Sequence, residues 1–381
     1  MRVAFVSNVV YPFVAGGAEK RIHEIGTRLA DAGHDVTVYG RHFWEGPRET
    51  GRDGLTLRAV APERPLYSGQ RRSITEAIDF AARALPPLRR KLARDAHDVV
   101  VASVFPYFPV FATKLAGLRT DTPLVTTWHE VWGDYWAAYL GRLAPFGAAT
   151  ERLTARLPQH PVAISSLTAD RLADIGQPRE RIEVVPNGID IARIDGAPVP
   201  VDGFDVLFAG RLLDHKNVDI LLQAFDEIAD EHDATLGIIG DGPDRGRLEA
   251  ARDTLQHPDR VRFLGFLEAH DDVLGHMRAA EVFASPSARE GFGITYLEAM
   301  GADCTVIAAR HPDSAADEVV ADAGFLVEPS VDALAGQLTA ALEGHRPPSA
   351  PRARAERYDW ETVATQAEAT YQRAVAGGWD R

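Results

Sequence analysis

Among its 381 residues the chain has one cysteine, Cys304, and four lysines, Lys20, Lys91, Lys114 and Lys216. A single thiol excludes both a disulfide framework and a cysteine-based metal site. No two aspartates stand two positions apart, so an Asp-x-Asp pair able to hold a divalent ion is missing. No apolar run reaches the 18 residues of a membrane span, and the stretch from Met1 to Ser7 is too short for the apolar region of a signal peptide. A net charge of −14 argues against nucleic acid as a partner, because a phosphate backbone would be repelled except at a local basic patch. The expectation is a soluble cytoplasmic protein, at most peripheral to the inner face of a membrane.

What is present is globular: 45% hydrophobic and 25% charged residues, in a chain too long for one ordinary domain and comfortable for two. Apolar runs at 3–7, 36–39, 55–60, 99–102, 124–127, 162–165 and 182–185 alternate with helix-like stretches, and this implies a parallel sheet covered on both faces. A second series follows at 206–210, 236–240, 261–264, 282–284, 305–308 and 324–327. The fold class expected is therefore α/β, with two doubly wound Rossmann-like domains facing a cleft. Residues 1–190 form the first and 191–359 the second. Gly196, Pro198, Pro200 and Gly203 give the stretch from Asp190 to Asp205 the chemistry of a linker.

The densest signal runs from Ser285 to Ala302. It reads as a strand end, a loop with Gly291 and Gly293, and a helix opening near Ile294 whose first amides favour a phosphate. Glu290 and Glu298 flank that cradle. Eight helical residues turn through about 800°, so the two carboxylates do not share one helix face and have separate roles. A second cluster, Gly210-Arg211-Leu212-Leu213-Asp214-His215-Lys216-Asn217, leaves a strand end. Arg211 and Lys216 there are either solvated charges or a fixed cation pair that neutralises a diphosphate.

Together these runs resemble a known signature. Glu-Gly-Phe-Gly-Ile-x-x-x-Glu-Ala-Met-Gly after an apolar strand, with Gly-Arg-x(4)-Lys-Asn upstream, is similar to the retaining nucleotide-sugar-dependent glycosyltransferases of family 4, which have the GT-B fold. The resemblance implies a metal-independent, cofactor-free hexosyl transfer from a nucleoside-diphosphate sugar to a glycan, a lipid-linked sugar or a small molecule. It implies that Glu290 holds the donor's sugar hydroxyls and Glu298 the ribose, and that Arg211 and Lys216 stabilise the departing diphosphate with the amides of Phe292, Gly293 and Ile294. Gly16 and Gly17 would close over the diphosphate, Gly240 and Gly265 would wall the nucleotide, and Asn187 and Gly188 would line the cleft. His129, at a strand end, would lie near the donor sugar. Residues 360–381 would form a helix packing back across the hinge. A sugar-nucleotide epimerase, a phosphorylase and a non-catalytic sugar-nucleotide binder are the alternatives.

Three stretches stay open. Trp132, Tyr135, Trp136 and Tyr139 read as core packing, or as an acceptor or lipid contact. The acid-free run from Arg83 to Arg94 reads as a solvated helix face, or as a peripheral contact with an anionic membrane. From Ala309 to Glu318 the chain lacks the glycine pair that family members often carry, which leaves that loop without an assigned role.

Overall fold

The computed structural model describes residues 1–14, 16–68 and 71–377. Ala15, beside the Gly16-Gly17 pair, lies outside the described residues. The chain divides into two units, Met1–Pro186 with Trp360–Arg381, and Asn187–Asp359.

In the first unit the strands are β1 (Arg2–Val6), β2 (Asp35–His42), β3 (Glu49–Arg52), β4 (Leu55–Pro62), the short hairpin β5 (Tyr67–Ser68) and β6 (Arg71–Arg72), β7 (Val99–Val104), β8 (Leu124–Trp128), β9 (His160–Ala163) and β10 (Glu183–Val184). Apart from the hairpin they form one sheet in the order β10-β9-β8-β7-β1-β2-β4-β3. Central strands such as β7 are almost continuously apolar because helices cover both of their faces. β3 runs antiparallel at the edge, and its polar sequence carries no apolar run to betray it. The helix Trp360–Val375 belongs to this unit: Trp360, Val363, Ala367, Tyr371 and Ala374 recur at helical spacing and join Val3, Phe5, Ile25 and Leu29 in one core. Arg28–Glu361 and His34–Glu368 contacts fasten it to the helix Gly17–Asp31.

The second unit is a six-stranded parallel sheet in the order β13-β12-β11-β14-β15-β16, where β11 is Val206–Ala209, β12 Leu236–Ile239, β13 Val261–Gly265, β14 Val282–Ser285, β15 Thr305–Ala309 and β16 Phe325–Val327. The stretch read as a linker is irregular only in its second half, where Val199 and Val201 are exposed. Ile191–Gly196 is a helix capped by the Asp190 carboxylate, which accepts the Arg193 N–H at 2.8 Å. Ile189, Ile194 and Ala197 are buried, and the backbone of Pro198 sits so close to Gly275 that a Cβ there would overlap its carbonyl oxygen. Glycine and proline reported the bends correctly, and the isoleucines decided the packing.

The basic run from Arg83 to Arg94 lies on the helix Ile74–Asp95. Arg83 pairs with Asp79, Lys91 faces Glu49 and Arg94 pairs with Asp95, so part of that charge is neutralised by neighbours. Arg89 and Arg90 are exposed. Among the described residues no helix is long and apolar enough to cross a membrane.

Candidate active site

The strand order of the second unit fixes where its chemistry converges. From β11 the chain proceeds to β12 on one side, and β14 lies on the other, so β11 and β14 flank the point at which the winding reverses. Loops leaving the carboxyl ends of two such strands diverge and leave room for a ligand. The loop after β11 carries Arg211 and Lys216, and the loop after β14 carries Glu290.

Backbone hydrogen bonds hold these loops. Gly210 N–H donates to the Ile239 carbonyl at 3.0 Å, Leu212 N–H to Asp241 at 2.9 Å, and Gly240 N–H to Gly265 at 2.8 Å, so the ends of β11, β12 and β13 are stitched together. Gly240 has φ +133°, and a Cβ there would overlap the Gly210 carbonyl. The Asn217 side-chain amide donates to the Pro286 carbonyl at 2.9 Å, and Ala288 N–H donates to His215 at 2.9 Å. Between the two loops, Lys216 Nζ and Glu290 Oε1 form an ion pair in which each side chain is about 15% exposed. Arg211 is exposed and has no ion pair among the described residues.

The loop from Ala309 to Glu318 now has a structural role. Glu290 N–H donates to the Asp313 carbonyl at 3.2 Å and Ala315 N–H donates to the Glu290 carbonyl at 2.9 Å, so this loop holds the Glu290 backbone. Beyond it, Gly293 takes φ +85° at the start of the helix Ile294–Gly301, against the ring of buried Tyr296. Phe292 is buried edge-on to Tyr358, leaving its amide rather than its ring for a ligand. Gly291, between Glu290 and Phe292, is half-buried.

Glu298 is not part of the Lys216–Glu290 pair. It is buried, with Oε1 2.8 Å from Nε2 of His270 at the start of the helix His270–Ala279. Nothing local in the sequence marks His270, because the contact spans 28 residues. Gly265 takes φ +76° beside the Arg245 guanidinium. Among the described residues no three His, Cys, Asp or Glu side chains converge as a metal-binding group.

The remaining candidates lie in the first unit or at the boundary. Gly16 precedes the helix Gly17–Asp31, where a Cβ would meet the Glu19 carboxylate, whereas Gly17 faces open space. His129 follows β8, its Nε2 2.9 Å from Ser103 Oγ. Burial, helped by the nearby Arg21 charge, pushes its pKa down to about 3, so the ring is neutral near pH 7. His129, Ser103 and Arg21 line a small cavity with Tyr371. Arg21, which no motif singles out, is buried and donates to the Val185 carbonyl at 2.9 Å, and burial lowers its pKa to about 10. Asn187 and Gly188 open the second unit, just ahead of the Ile189–Asp359 bridge.

Comparison with known proteins agrees over nearly the whole length. The profile described as Glycosyltransferase Family 4 matches residues 15–193, and that described as glycosyl transferases group 1 matches residues 194–358. Glycogen synthase of Mycobacterium tuberculosis is 28% identical over 407 aligned positions, covering 99% of this chain and 96% of that protein. Phosphatidyl-myo-inositol mannosyltransferase of Mycolicibacterium smegmatis is 28% identical, covering 99% and 95%. Sucrose-phosphate synthase of Thermosynechococcus elongatus superposes with a TM-score of 0.78 at 20% identity, each chain covered to 99%. Both halves of the chain, each built on its own parallel sheet, thus match one family: the protein belongs to glycosyltransferase family 4 and is a hexosyltransferase-type enzyme with the GT-B fold.

Proposed function

We propose that the protein transfers a hexose from a nucleoside-diphosphate sugar to an acceptor hydroxyl with retention of configuration and without a metal ion. The observation that carries this is the Lys216–Glu290 pair at the switch point of the second sheet. Without ligand each group is the other's counterion. A diphosphate would draw Lys216 and exposed Arg211 to itself and free Glu290 to accept hydrogen bonds from the sugar hydroxyls. The two cations would supply the charge stabilisation that a metal supplies elsewhere.

In this reaction the bond from the anomeric carbon to the diphosphate oxygen breaks, and the acceptor oxygen bonds to the same face. Its proton passes to a phosphate oxygen of the leaving group, so no protein nucleophile is required. The amides of Phe292, Gly293 and Ile294 would face the phosphates, Gly240 and Gly265 would wall the nucleotide, and Glu298, steadied by His270, would take the ribose. In the first unit, Gly16 and Gly17 would close on the diphosphate. Neutral His129 can hydrogen-bond a sugar hydroxyl without adding charge.

Thermal unfolding with UDP, GDP, ADP and dTDP, each with and without Mg²⁺, tests the reading. A ligand at 100 times its dissociation constant adds about 2.7 kcal/mol. The expected outcome is a base-selective shift that Mg²⁺ does not change. No shift with any nucleotide would remove the diphosphate site, and a shift only with Mg²⁺ would remove metal independence.

A further inference from the structure

The first unit has a larger cavity than the one at His129, and its walls have a different chemistry. It lies half open to solvent between the start of the helix Ile74–Asp95, the segment after β7 and the helices Tyr135–Leu140 and Ala144–Ala155, and the centres of water-sized molecules can occupy about 50 Å³ of it. Its wall is mostly hydrocarbon and aromatic: Ile74, Phe105, Phe108, Trp136, Leu140 and Phe146.

Four polar groups of the wall are already engaged within the protein. Ser73 Oγ accepts the Glu76 N–H at 3.2 Å and contacts Thr75 Oγ1 at 2.9 Å. Thr150 Oγ1 donates to the Phe146 carbonyl at 2.9 Å. Tyr107 OH donates to Glu151 Oε1 at 2.7 Å, and Trp136 Nε1 donates to Glu151 Oε2 at 3.1 Å. Glu151, 1% exposed, also accepts the backbone N–H groups of Trp132 at 2.8 Å and Gly133 at 3.1 Å. One buried carboxylate therefore fixes the aromatic wall before any ligand arrives. A Cβ on Gly147 would overlap the Trp136 ring, so glycine there lets the ring lie against the helix.

A glycan placed in this cavity would have its hydroxyls stripped of water and offered few partners, which costs far more than it returns. A hydrocarbon body would gain from every wall. The cavity also has polar neighbours. Phe105 and Pro106 line a second, smaller cavity with Ser7, Asn8 and Ser103, and Ser103 in turn lines the cavity at His129. The segment after β7 that lines the apolar cavity leaves the same sheet edge at which Ser103 and His129 meet, so an apolar body seated there would carry a hydroxyl toward the carboxyl ends of β7 and β8. At the mouth, Ile74 and Phe146 are 38% and 56% exposed.

We propose that this cavity binds the hydrocarbon part of the acceptor, which is an alcohol on a compact apolar body rather than a glycan. Naming it an acceptor site rests on the transferase reading above; the chemistry of the ligand does not.

The test is calorimetric titration of the full chain with 2-naphthol and, separately, with maltotriose. Saturable one-to-one binding of naphthol is expected, weakened at least about tenfold by Ile74→Lys and by Phe146→Glu, both at exposed positions, with no maltotriose binding that these variants affect. Each variant should keep the nucleotide-induced thermal shift of the parent, which shows that it is folded. Absence of naphthol binding, naphthol binding indifferent to both substitutions, or maltotriose binding that the substitutions abolish would each overturn the proposal. Naphthol binding in a protein that no nucleotide stabilises would leave the cavity's chemistry standing and bring down the transferase reading alone.

Discussion

The carboxyl ends of the two sheets are furnished in opposite ways. In the second unit, backbone hydrogen bonds, glycines at positive φ and one ion pair shape the loops, with Phe292 and Tyr296 turned into the core. In the first, large rings ordered by Glu151 form the wall, and the nearby imidazole is held neutral. Backbone amides and cations recognise a diphosphate whatever else the substrate carries, whereas a wall of side chains recognises one shape. Under the function proposed above, the shared chemistry would lie in the second unit and the individual chemistry in the first.

The sharpest way to break the contrast is Glu290→Gln, which keeps the shape and removes the charge facing Lys216. Initial transfer rates should fall about 10²–10³-fold, while the nucleotide-induced thermal shift persists; equal loss of both would show that Glu290 serves nucleotide binding instead. Gly240→Ala attacks the stitched backbone directly. It combines a left-handed φ with overlap at the Gly210 carbonyl and should cost about 3 kcal/mol in denaturant unfolding. Glu151→Ala strips four donors in the first unit of their shared acceptor and should cost about 2 kcal/mol, with loss of near-ultraviolet dichroism from Trp132 and Trp136 and no change in nucleotide binding.

The smallest effect separates the two units by pH. His129 is pushed well below its ordinary 6.5 by burial, so the unfolded chain binds a proton there that the folded chain refuses. Its contribution is fully present above about pH 6.5 and is lost as pH falls toward 3, so stability rises with pH across that window. Urea midpoints of His129→Asn should vary less between pH 6.5 and 4 than those of the parent. An unchanged slope would mean that the ring is not sheltered.

Most strands were legible because parallel, doubly covered strands must be apolar throughout; β3, polar at an edge, was not. The short segments around Lys216 and Glu290 could be recognised because each is a local run whose glycines and charges stand in fixed order. Their meeting could not be read, since 74 residues separate them. Arg21, Glu151 and His270 were missed for the same reason: each acts through partners distant in sequence, and a single buried arginine, glutamate or histidine has no local signature. The segment after Asp190 misled because proline and glycine announce bends, and only Ile189 and Ile194 disclose that the bends are packed.

The placement of the helix Trp360–Val375 in the first unit has a consequence for synthesis. Trp360 and Tyr371 fill the core that contains Val3 and Phe5, so during translation the part of the protein made first stays unfinished until residue 371 has left the ribosome. The second unit, contiguous from Asn187 to Asp359, can close before then. In chain order, then, the residues of the second unit are complete before those of the first. A fragment ending before Trp360 would present an open hydrophobic seam to the cell's proteases.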